Sequence, residues 1–158
     1  MPASQNQNSW KDSPKASPCL DPEAKWNVFI AYDDVHAGQH AMRTIKNVER
    51  RLDWPETWHP SLWRFDLLED PDGRVLATAD ALQADLIVIS ASSRRDLPAS
   101  LQDWINACLT QKRGTAAAVV AMLGPEDNPD EPDSPRIQFI KSAAKEAGLD
   151  FFMRAGIP

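Results

Sequence analysis

The sequence predicts an α/β protein, a three-layer, doubly wound sheet of five parallel strands in the order 2-1-3-4-5. Three observations lead there. Five short apolar runs alternate with four segments of helical periodicity, which is the pattern of strand, helix, strand repeated through one domain. Two of the runs, Leu86-Ile87-Val88-Ile89 and residues 116–123 (AAAVVAML), are apolar throughout, as central parallel strands are when helices cover both faces. The second run, "WRFDLL", alternates apolar and polar residues and suits an edge of the sheet.

Each element has its own local reason. Residues 1–24 are rich in Ser, Pro, Gln and Asn without periodicity and read as a flexible tail, with Trp10 as the residue able to anchor it; residues 25–158 form the single domain. Strand one is "WNVFIAY", 26–32. Helix one, from about Ala37 to Leu52, carries Ala41, Ile45, Val48 and Leu52 on one stripe. Strand two is placed at 63–68. Helix two, about 72–83, carries Val75, Ala79 and Leu82. Strand three ends at Ser90.

Helix three has a stripe of Leu97, Leu101, Trp104, Ile105 and Cys108, with Asp96 read as its N-cap ahead of Pro98. Strand four is 116–123. Helix four opens at Ser134-Pro135 and closes at Gly148, and strand five is "LDFFM", 149–153. Two segments fall outside this rhythm. "DWPETWHPSLW", 53–63, places Trp54, Trp58 and Trp63 where they would fold over the sheet edge, and 124–135 is an acidic, proline-rich loop.

Composition narrows the function classes. With a net charge of −6 across 158 residues, the chain lacks the concentrated Lys and Arg that a nucleic acid or an anionic membrane requires. No apolar run approaches the roughly 18 residues that span a bilayer, and the N-terminus has no signal-peptide core. Cys19 and Cys108 have no metal or redox spacing, so a reducing, cytoplasmic setting is expected.

The strand order 2-1-3-4-5 is that of flavodoxin-like domains, in which ligands bind where the order reverses, between the carboxyl ends of strands one and three. Two loops meet there. "YDDVHAG" offers Asp33, Asp34, His36 and Gly38, and "SASSRRD" offers Ser90, Ser92, Ser93 and Arg94. These eight are the candidate ligand-binding residues. Adjacent carboxylates such as Asp33 and Asp34 are also the donors that Mg²⁺ prefers, and alternatively they cap helix one. His36 near Ser90 is the one pairing that suggests acyl transfer, but "ISASSRR" lacks the G-x-S-x-G turn of a nucleophile elbow.

The Asp33-Asp34 pair and "ADALQADLIVIS" resemble the receiver domains of response regulators. That resemblance implies a phosphate-accepting aspartate at the end of strand three. Ser90 stands there instead, Met122-Leu123-Gly124 replaces the family's Ser or Thr, and Arg154 is the only stand-in for its lysine. It therefore implies a degenerate phosphoacceptor site and a non-catalytic regulatory or interaction module that binds a protein partner or a small ligand.

Flavodoxins are a second resemblance, and they hold a flavin phosphate in a Ser/Thr/Gly-rich loop after strand one. Asp33 and Asp34 oppose an anion at that position, so FMN is disfavoured. Third, "WNVFIAYDD" and "ALQADLIVISASS" look like segments of TIR and nucleoside deoxyribosyltransferase folds. This implies an alternative, a small enzyme acting on a nucleotide or nucleoside, with Gln102 and Asp103 where those families place a glutamate. Taken together, the segments are similar to a group of short bacterial proteins without an assigned activity.

Overall fold

The computed structural model describes residues 25–51, 57–92, 96–123 and 135–155. The expected tail, Trp54, Ser93, Arg94, Arg95 and the acidic loop through Ser134 lie outside these residues. Five parallel strands, β1 (Lys25–Tyr32), β2 (Thr57–Arg64), β3 (Leu86–Ser90), β4 (Ala118–Leu123) and β5 (Asp150–Ala155), form one sheet in the order β2-β1-β3-β4-β5. Helices α1 (Val35–Arg51), α2 (Pro71–Leu82), α3 (Ala99–Gln111) and α4 (Pro135–Glu146) connect them. No helix among the described residues is long and apolar enough to cross a membrane.

Right-handed crossovers decide which face each helix covers. From β1 the chain steps to β2 in one direction, then passes back over β1 to β3 and continues to β4 and β5. The first connection therefore lies on one face and the other three on the opposite face. The packing follows this rule. Phe29, Ala31, Ile87, Ile89, Val119 and Ala121 share one cluster with the buried residues of α2, α3 and α4. Val28, Ile30, Leu86, Val88, Val120 and Met122 share the other with Ala41 and Ile45 of α1.

The α3 stripe is buried as expected, and Trp104 stacks on Phe29 with centroids 5.4 Å apart. Gly148 closes α4 with a positive φ of 74°.

Four local expectations need correction. Strand two lies at Thr57–Arg64, and the stretch read as a strand at 63–68 is mostly a 3₁₀ helix, Phe65–Glu69. Its buried residues, Phe65 and Leu68, are three apart, which is one 3₁₀ turn. Pro60 is tolerated because β2 pairs with β1 alone and its other edge needs no donor. Trp58 and Trp63 belong to β2 itself rather than folding over it, Trp58 packing on one cluster and Trp63 on the other.

In α2 the buried residues are Ala77 and Ala81, while Val75 is 70% exposed. Small side chains let this helix sit close to its neighbours. At Gly73 an added Cβ would lie 2.0 Å from the Leu67 carbonyl oxygen. Finally, α3 is capped by Pro98 without a side-chain bond, so Asp96 is not its N-cap.

Buried polar groups are satisfied inside the fold. Lys112 is buried, and its Nζ donates to the carbonyls of Leu82 (3.2 Å) and Ala84 (2.8 Å), closing the carboxyl end of α2. Arg74 donates to Leu68 O and Ser100 O, tying the 3₁₀ turn to the start of α3.

Candidate functional site

The register Tyr32↔Ser90 brings the exits of β1 and β3 side by side. The Asp33 amide donates to the Ser90 carbonyl at 3.3 Å, and the Ala91 amide donates to the Met122 carbonyl at 2.9 Å. Both loops therefore leave the sheet under backbone control.

The two carboxylates are spent on holding these loops together. Asp34 precedes α1, and its Oδ1 accepts the Ala37 amide at 2.9 Å, the geometry of an N-cap. Its other oxygen accepts the Ser92 hydroxyl at 2.5 Å. Asp33 accepts the Ser92 amide on both oxygens, at 3.0 and 3.1 Å. The hydroxyl of Ser92 holds the Asp34 carboxyl below the usual carboxylate range, aided by the Ala37 amide and the nearby His36. A hydrogen bond donated to the ionised form stabilises it, which is the sense of that shift.

Ser90 is buried at 1% exposure, and its hydroxyl donates to the Ala37 carbonyl at 2.9 Å. The residue that the sequence aims at the rim thus turns inward and holds α1 to β3. His36 is exposed on the first turn of α1. Gly38 lets the Tyr32 ring lie against the helix, since a Cβ there would meet that ring at 3.2 Å. Of the eight candidates, Asp33, Asp34 and Ser92 are brought into direct contact. Ser90 and Gly38 serve packing beneath them, and Ser93 and Arg94 lie outside the described residues.

Beside this bridge opens a cleft of about 410 Å³ lined by Asp33, Asp34, Phe65, Ala91, Asp96, Leu97 and Pro98. Among the described residues its lining is apolar apart from the carboxylates of Asp33, Asp34 and Asp96. Among the described residues no group of three or more His, Cys, Asp or Glu side chains is placed to hold a metal ion. On α3, Gln102 donates to the Leu97 carbonyl at 2.8 Å, and Asp103 is exposed.

A second concavity was not anticipated from the sequence. It lies between α1 and β5, has a volume of about 320 Å³ and is lined chiefly by apolar side chains, Trp26, Ile45, Trp58, Val120, Met122 and Phe152 among them. The available signal was a count. Three crossovers fall on one face and one on the other, so among the described residues α1 alone packs on the second face of the five-stranded sheet.

Among solved structures the chain is similar to a short-chain flavodoxin associated with a non-canonical PDU bacterial microcompartment. The TM-score is 0.51 and the identity 14%, with 84% of each chain covered. The likeness is one of fold. It agrees with the flavodoxin-like strand order and carries no residue of a binding site. No family model matches the sequence, and no curated protein matches it either.

Proposed function

We propose that the chain is a non-catalytic regulatory or interaction module, a receiver-like variant of the flavodoxin-like scaffold. One observation carries this reading. The side chains that a reaction at the switch point would need are bonded into the fold: Ser90 to Ala37, Asp34 to Ala37 and Ser92, and Asp33 to Ser92. A serine whose hydroxyl donates to a backbone carbonyl has no adjacent base and is a weak nucleophile.

The cleft beside the bridge is the surface offered to a protein partner or small ligand. The described part of its lining, the carboxylates of Asp33, Asp34 and Asp96 with the apolar Phe65, Leu97 and Pro98, favours a cationic group on an apolar stem, such as a lysine or arginine of a partner.

A flavin phosphate does not fit these residues. In a domain of this kind an anion would sit at the amino end of α1, where backbone amides and the helix dipole attract it. Here the Asp34 carboxylate already takes the Ala37 amide, and a phosphate beside it would meet like charge. Mg²⁺ would compete with Ser92 for both aspartates, so metal binding is weak in this reading.

The test is a set of turnover assays on the full chain. No label should pass from a radioactive small-molecule phosphodonor in the presence of Mg²⁺, and neither NAD nor a panel of nucleosides should be hydrolysed. Hydrolysis lost on Asp103→Asn would replace this reading with the nucleotide-processing enzyme.

A further inference from the structure

The sheet ends at two edges of unlike character. β2 carries Pro60 in its middle, and a proline cannot donate to a further strand. β5 is the terminal strand on the other side, and its sequence, DFFMRA, holds neither proline nor glycine. Among the described residues no strand pairs with its outer edge, which therefore presents a row of backbone donors and acceptors.

The side chains of β5 sort by face. Phe151 and Met153 are half-buried against the cluster beneath α2, α3 and α4. Asp150, Phe152 and Arg154 pair in register with Ala118, Val120 and Met122, which places them on the α1 face, and all three are exposed. Phe152 is 54% exposed, a large ring left in water at the border of the sheet. Neither Asp150 nor Arg154 has an ion-pair partner among the described residues.

We propose that β5 is the interface of a homodimer, in which two copies join edge to edge and antiparallel about a two-fold axis at Phe152. The order acid, ring, base carries the proposal, because a two-fold interface must be complementary to itself. Centred on Phe152, the pairing sets Asp150 opposite the partner's Arg154 and Arg154 opposite the partner's Asp150, with the two Phe152 rings between them. On the other face Phe151 meets the partner's Met153. Opposed residues of an antiparallel ladder project from the same face with Cβ atoms about 4.5–5.5 Å apart, where opposite charges and paired aromatic rings attract. Moving the axis by one residue, to Phe151 or Met153, sets a charge against the Phe152 ring and leaves both ion pairs unmade. The charges thus select one register as well as one partner.

A single strand edge buries less than the roughly 1,200 Å² of a standard interface, so the dimer forms as concentration rises. Sedimentation of the full chain from about 10 μM to about 1 mM should show the passage from monomer to dimer. Arg154→Asp and, separately, Asp150→Arg each place like charges opposite one another twice in the dimer. Either should weaken association by about tenfold or more. The double variant Asp150→Arg, Arg154→Asp reverses both ends of both pairs and should restore it. Both positions are exposed, so urea midpoints equal to that of the parent chain show that the fold is intact. A parent chain that stays monomeric throughout the series would overturn the proposal. So would a dimer that both single reversals leave unchanged, which would place the contact elsewhere, or a double variant that associates as weakly as the single ones.

Discussion

The two faces of the sheet use the same five strands but are covered unequally. On one face Phe29 is fully buried, stacked on Trp104 and surrounded by α2, α3 and α4. On the other, Phe152 stands half in solvent at the edge of a groove beneath α1. Among the described residues the three-helix face therefore buries its aromatic side chains more completely than the face covered by α1.

Substitutions can break or sharpen this contrast. The largest effect is expected for Phe29→Ala, which should cost roughly 4 kcal/mol in urea unfolding, as deletion of a buried ring does. Phe152→Ala should cost about 0.5 kcal/mol or less, since little of the ring's burial is lost. Equal costs would erase the distinction between the faces.

Ser90→Asp comes next. It places a carboxylate in a buried site facing the Ala37 carbonyl and should destabilise by about 3 kcal/mol without creating a phosphoacceptor, whereas Ser90→Ala should cost about 1 kcal/mol. A stable Ser90→Asp protein that takes up phosphate would reverse the assignment of this residue.

Lys112→Ala follows at roughly 2 kcal/mol, because two backbone carbonyls lose a charged donor. Burial lowers the Lys112 pKa, so its charged form is disfavoured on folding. Stability should then rise as the solution passes from that lowered value toward the ordinary lysine pKa, and Lys112→Met should remove the rise.

Asp34→Ala should cost about 1 kcal/mol for a lost N-cap. Because the folded-state pKa of Asp34 lies below its ordinary value, this contribution is present above the unfolded carboxylate pKa. It is lost as pH falls through the folded value. Urea midpoints measured from pH 5 downward should fall less steeply in Asp34→Asn than in the parent chain.

Strand order, the α3 stripe and the meeting of the two rim loops were legible in the sequence because they rest on periodicity and on the handedness of crossovers. The position of β2 was not. Pro60 hid a real edge strand, and the alternation of "WRFDLL" imitated one where a 3₁₀ turn buries Phe65 and Leu68. The inward role of Ser90 was equally hidden, since its acceptor lies 53 residues away along the chain. Asp34 shows the middle case. Its capping role follows from local spacing, but its bond to Ser92 depends on the packed fold.

The most direct test of the central claim, that the switch-point rim is bonded within the fold rather than arranged for an anion, is a titration of the full chain with FMN followed by flavin fluorescence. The account predicts no quenching and a colourless protein after removal of free flavin. A yellow, stoichiometric complex whose resonance changes centre on Asp33, Asp34 and Ser92 would contradict it.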